Sequence, residues 1–114
     1  MNIQDIKESK NKNEYEKRIK KIADTLDERL SFLKNEKSKV EKSAIESYES
    51  KIRFLSDKRD KVALRLDEIK STSQEKWNET YSSAHEEIKK ISSEAEEAYV
   101  GMKNGFSYLF EKLK

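Results

Sequence analysis

The chain has 114 residues, of which 42% are charged and 33% hydrophobic, with 25 Lys and Arg against 23 Asp and Glu. That length holds about one domain, and an average soluble domain is roughly 45–50% apolar and about 25% charged, so an ordinary spherical core is excluded. The lack of Cys excludes a disulfide framework and a thiolate metal site, and the near balance of charge excludes a field of one dominant sign.

Pro is absent and the two Gly stand at 101 and 105, so residues 1–100 carry no strong turn punctuation. Opposite charges alternate closely, as in Glu14, Glu16, Lys17, Arg18 and in Asp57, Lys58, Arg59, Asp60. This is the pattern of a solvated helix surface laced with i,i+4 pairs. A disordered polyampholyte has the same composition, and periodicity separates the two.

Residues 1–12 are polar apart from Met1, Ile3 and Ile6 and are expected to fray. Met1 to Asn13 lacks the apolar run of a signal peptide. No window reaches the roughly 18–20 continuous apolar residues of a membrane span. A cytoplasmic location is expected.

From Tyr15 an apolar stripe runs through Ile19, Ile22, Leu26, Leu30 and Leu33, in steps of three and four that fall on one helix face. Between 34 and 47 it thins to Val40, Ala44 and Ile45 among many lysines, the best place for a reversal. A second stripe runs Tyr48, Ile52, Leu55, Arg59, Val62, Leu66, Ile69, Ser73, a heptad seam holding one Arg and one Ser. Arg59 either sets the register of that seam or snorkels outward from a flanking position, and the second reading is favoured. Ser71 with Gln74, or Thr72 with Glu75, has the spacing of a capping box that would open a third helix. The alternative is an uninterrupted helix.

The third segment has the clearest order. Trp77, Ile88, Tyr99 and Phe110 recur every eleven residues, as do Thr80, Ile91, Met102 and Leu113, and Ala84, Ala95 and Phe106. Eleven residues over three turns is about 3.67 per turn, close to the relaxed helix. The stripe is thin, a seam that a neighbouring helix must cover. The expected fold is therefore all-α, an elongated coiled coil of long amphipathic helices. Three segments are favoured, about 12–37, 42–71 and 74–112, with an antiparallel hairpin near 38–42. The alternative is one or two near-continuous helices forming a self-associating rod. The organisation reads as a frayed 1–12, a heptad-type region 13–72 and a hendecad-type amphipathic helix 73–114.

The stretch from Tyr48-Glu49 through Ile52, Leu55 and Lys58-Arg59, then Leu66-Asp67-Glu68-Ile69-Lys70-Ser71 to Trp77, resembles a widespread group of small bacterial coiled-coil proteins of about this length. Their pattern is roughly Y-E-x-x-I-x-x-L-x-x-K-R, then A-x-x-L-x-E-L-K, then S-G-E-A-W. Looser similarity extends to Tyr15 and Phe106. This chain carries Gln74 where that pattern has Gly, which argues against a sharp left-handed break at 71–74. The resemblance implies a bacterial source, a helical scaffold and no catalytic residue.

His85, the one histidine, has Tyr81 and Lys89 at i±4 and Ser82 at i−3, none a normal zinc ligand, and is expected on the solvated surface. Glu86-Glu87 and Glu96-Glu97 lack an apolar pocket to push their pKa values apart. No nucleophile–base pairing or phosphate-binding loop is present. The expectation is no enzyme, no cofactor, no metal and no small-molecule substrate. Lys17-Arg18, Lys20-Lys21 and Lys34, Lys37, Lys39 and Lys42 are interrupted by acids, which argues against nucleic acid.

Ala98 to Phe110 is the most aromatic stretch, and a membrane surface is the rival partner for it. The net negative charge of residues 75–114 opposes that reading. Gly101-x-x-x-Gly105 lies outside an apolar 20-mer and reads as a close helix crossing or a helix end. The expected function is a non-enzymatic structural or adaptor protein working through a helix partner or self-association. A small inhibitor or effector docking on one target is the other alternative. The expected contacts are Trp77, Ile88, Ile91, Tyr99, Met102, Phe106, Phe110 and Leu113.

Overall fold

Asn11 opens the first helix: its side chain accepts the Glu14 backbone N–H at 3.1 Å, satisfying one of the donors that a helix start leaves orphaned. In the computed structural model, which describes residues 11–107, helix α1 then runs Lys12–Glu36. Two single 3₁₀ turns, Lys37–Lys39 and Lys42–Ala44, follow. Between them Val40 and Glu41 are extended (φ −80°, ψ 135° and φ −60°, ψ 145°) and reverse the chain. Helix α2 is Ile45–Ser71 and helix α3 is Gln74–Gly105. The reversal falls where the apolar stripe thins, because residues 37–44 offer little apolar surface to hold a continuous helix against a neighbour.

The second reversal uses two residues. Thr72 and Ser73 are extended (φ −85°, ψ 134° and φ −68°, ψ 158°), and no described residue has a positive φ. A sharp break therefore needs no glycine here, and Gln74 is simply the first residue of α3. The cap differs from the expected one. Ser71 and Thr72 donate their hydroxyls back to the Glu68 carbonyl at 3.0 and 2.7 Å and close α2. Ser73 instead accepts the Lys76 N–H at 3.2 Å and opens α3. Ser73 thus leaves the seam to which the heptad spacing assigned it.

Cross-helix pairs fix the directions. Asp27 meets Arg59 while Lys37 meets Glu49, so α1 and α2 are antiparallel. Lys58 meets Glu94 and Arg65 meets Glu87, so α2 and α3 are antiparallel. Tyr15 meets His85 and Arg29 meets Glu96, so α1 and α3 run parallel. The result is an all-α three-helix bundle, elongated to 52 × 24 × 18 Å. A 32-residue helix at 1.5 Å per residue spans about that length.

One continuous core fills the axis. Helix α1 contributes Tyr15, Ile19, Ala23, Leu26, Leu30 and Leu33; α2 contributes Tyr48, Ile52, Leu55, Val62, Leu66 and Ile69. Ala23 takes the place expected of Ile22, which sits half-buried on the flank. In α2 the seam residue between Leu55 and Val62 is Lys58, 8% exposed, and Arg59 lies on the flank. The steps from Ile52 to Leu66 are 3, 3, 4 and 4, so the stripe keeps the two-heptad span and only its middle position moves back by one residue. Arg59 reaches out to Asp27, its Nε and Nη2 donating to the two carboxylate oxygens at 2.7 and 3.3 Å. That fork geometry holds the guanidinium charged, above its ordinary range.

Candidate functional site

The eight expected contact residues divide. Trp77, Ile88, Ile91, Tyr99, Met102 and Phe106 are all buried in the core of the bundle, where α1 and α2 of the same chain cover them. Phe110 and Leu113 lie outside the described residues, as does most of the expected frayed N-terminus. A partner meeting the folded bundle therefore does not reach the first six. The eleven-residue frame itself is kept: Trp77, Ile88 and Tyr99, then Ile91 and Met102, then Ala95 and Phe106, all point inward. Near the start of α3 the buried face turns by one residue. Thr80 is exposed and Ala84 half-buried, while Tyr81 and His85 are buried in their place.

The cause is Tyr15. Wholly buried near the start of α1, it draws three aromatic side chains of α3 around its ring. Its centroid lies 5.0 Å from Trp77, 5.5 Å from Tyr81 and 6.3 Å from His85. Trp77 and Tyr81 meet edge-on at 5.4 Å, and Tyr81 and His85 are stacked at 5.8 Å with 8° between their planes. Ring pairs like these add about 0.5–1.5 kcal/mol each beyond burial. Burial, reinforced by Tyr81, pushes the Tyr15 phenol far above its ordinary value, so it stays protonated, with its hydroxyl 3.5 Å from His85 Nδ1. His85, 7% exposed, is thus an interior residue rather than the surface one expected. The missed signal was the i, i+4, i+8 run Trp77, Tyr81, His85, a helix face as continuous as the eleven-residue registers.

The opposite end is closed by Tyr48 and Phe106, edge-on at 5.1 Å. Tyr48 donates its hydroxyl to the Leu33 carbonyl at 2.6 Å. Along the flanks, Arg29 donates to Glu96 at 2.5 Å and lies 4.2 Å over the Tyr99 ring. Burial pushes the Tyr99 phenol up against the pull of that guanidinium. Lys58 reaches Glu94 at 3.3 Å and sits 4.8 Å from the Phe54 ring centre. Arg65 bridges Glu87 on α3 and Glu68 on its own helix, and these bonds hold it charged.

Lys34, Lys37 and Lys42 line a shallow groove with Val40 and Ile45 at the first reversal. Lys37 is paired with Glu49 at 3.2 Å and neighbouring Lys39 with Glu36 at 2.9 Å, so the cluster is not a free cationic surface. Among the described residues the exposed large apolar ones are Phe54, Leu64 and Val100, single positions rather than a patch. Gly101 and Gly105 do not mark a close crossing, because a Cβ on either would meet nothing within 4 Å. Gly105 is the last residue of α3. Among the described residues no three His, Asp or Glu side chains gather as metal ligands, and no helix is long and apolar enough to cross a membrane.

Comparison with known proteins gave no matching family model, no matching curated protein and no matching solved structure.

Proposed function

We propose that this protein is a non-enzymatic structural or adaptor module, a helical scaffold of the kind its resemblance to small bacterial coiled-coil proteins implies, working through helix–helix protein contacts. One observation carries the reading. The apolar faces of α1, α2 and α3 are turned on one another, leaving a charge-laced rod in which α1 begins at one end and α3 finishes at the other. Such a body separates what is attached at its two ends. In the sequence the eleven-residue frame continues past α3 through Phe110 and Leu113, apolar residues in phase with Tyr99 and Met102. These are the positions a partner helix, or a second copy, would use to extend the seam.

The test pairs sedimentation velocity over a concentration series with liposome flotation. Phe110→Ser with Leu113→Ser is expected to abolish association with itself or with a protein partner while leaving helix content unchanged. Neutral and anionic vesicles are expected not to float the wild-type chain. Flotation that depends on Phe110 and Leu113 would replace the adaptor reading with the lipid-surface one. Point substitutions are used because a truncation that removes this end would also take Met102 and Phe106 from the core if made after Val100.

A further inference from the structure

Helices α2 and α3 are parted by Thr72 and Ser73 alone, both extended. The first reversal takes the whole of 37–44, in two 3₁₀ turns. Nothing in the second requires its shape, since it holds no Gly, no Pro and no positive φ. A connection this short that also suits a helix is a hinge through which identical copies exchange an element.

The residues on either side of the hinge continue one helix. Leu66, Ile69, Ser73 and Trp77 advance by 3, 4 and 4, so the buried faces of α2 and α3 join in phase across it. The hydroxyls of Ser71 and Thr72 already bond the Glu68 carbonyl three and four residues back, contacts that an unbroken helix keeps. Straightening loses two bonds, the Thr72 N–H to the Ile69 carbonyl and the Ser73 Oγ cap on the Lys76 N–H. In exchange, the last carbonyls of α2 and the first N–H groups of α3, orphaned by the break, pair with one another.

We propose that α3 swaps between two copies of this chain: residues 72 and 73 become helical, α2 and α3 join into one helix of about 90 Å, and each α3 packs on the α1–α2 hairpin of the other copy. Because α2 and α3 are antiparallel in the bundle, the two long helices run antiparallel about a two-fold axis at the hinge, and the assembly closes as a dimer. The Tyr15–Trp77 and Tyr48–Phe106 contacts and the Lys58–Glu94, Arg65–Glu87 and Arg29–Glu96 pairs are all remade between copies. The exchange therefore gives up no core burial, and concentration and the bonds at the hinge set its extent. It uses neither Phe110 nor Leu113, the positions assigned above to a partner helix.

The chain has no Cys, so Ser47→Cys with Asn104→Cys gives two exposed labelling sites. They lie at one end of the bundle, where Tyr48 meets Phe106, and about 85 Å apart along a straightened helix. A chain carrying a donor and an acceptor dye, refolded from urea with a large excess of unlabelled wild type at millimolar concentration, is expected to lose most of its energy transfer in a species of twice the monomer mass. Gln74→Pro should abolish that species and keep the helix content. Proline suits the first position of α3, Ser73 before it is already extended, the Ser73 cap stays, and the unbroken helix is forbidden. Thr72→Ala with Ser73→Ala should raise the dimer fraction severalfold, because Ala favours helix and removes the cap. A dimer that keeps full energy transfer, as association through Phe110 and Leu113 would, overturns the proposal, and so does a chain that stays monomeric at this concentration. Energy transfer in the otherwise wild-type chain decides the matter even if a hinge variant fails to fold.

Discussion

Tyr48→Phe removes one oxygen atom from the interior of the bundle and tests how α1 is closed. The last four carbonyls of a helix have no intrahelical partner. At the end of α1 the Lys37 N–H bonds the Lys34 carbonyl in the tight 3₁₀ manner, which leaves the Leu33 carbonyl without the N–H four residues on. The Tyr48 hydroxyl, from α2, supplies the missing donor at 2.6 Å. Phe keeps the ring against Phe106 but abandons that carbonyl in a site where Leu33 and Tyr48 are both 0% exposed. An unsatisfied buried acceptor costs about 1–3 kcal/mol. For a domain of about 100 residues each kcal/mol lowers Tm by roughly 4–8 °C. Thermal and urea unfolding followed by circular dichroism should therefore show a loss of about 2 kcal/mol with unchanged helix content. Tyr48→Ala, which also removes the ring, should cost about 3–5 kcal/mol. If Tyr48→Phe unfolds within 0.5 kcal/mol of wild type, about the floor for one net hydrogen bond, the cross-helix cap contributes nothing and the argument fails.

Four further outcomes are expected. Gly101→Ala should stabilise by about 0.8–1.0 kcal/mol, because the position is helical and open; a loss on calorimetry would mean that something covers that face. Ser73→Ala should cost about 1 kcal/mol and Ser71→Ala clearly less, since the cap of α3 is Ser73; equal losses in urea melts would contradict the assignment. Lys58→Met should be neutral or raise Tm, because a seam cation with a partly exposed partner gains little from pairing that an apolar chain does not gain from burial; a drop above about 1.5 kcal/mol, more than a tolerated size-matched swap costs, would show that the Glu94 pair matters. Tyr15 and Tyr99, whose phenols burial holds above their ordinary value, contribute stability that is present below about pH 10 and lost as pH rises beyond it. Melting of Tyr15→Phe between pH 9 and 11 should accordingly be flatter than that of wild type.

The sequence by itself determined that the chain is helical, and left open whether the helices break at both reversals. Apolar steps of three and four from Tyr15 to Leu33 and again from Tyr48 to Phe106, without Pro, argue for helix, and the lysine-rich gap at 34–47 marks the first reversal because few apolar contacts hold a helix there. The narrowness of the stripe required a covering helix, and the eleven-residue registers named most of the buried face of α3. Only the tertiary structure decided what covers it. Periodicity gives the direction of a side chain around its own helix, not the side chain that meets it. That the cover comes from within the same chain followed from the two extended residues Thr72 and Ser73, a reversal without glycine that the segment bounds located but whose cap the local spacing assigned to Ser71 or Thr72 rather than Ser73. The exchange of Arg59 for Lys58 in the seam, and the turning inward of Tyr81 and His85, follow from the neighbour as well. Asp27 lies across α1 to engage Arg59, and the Tyr15 ring presents a surface that rotates the first turns of α3 toward it. A lone histidine beside two glutamates looks solvated along one helix, and it becomes an interior group once a second helix brings a phenol to its nitrogen.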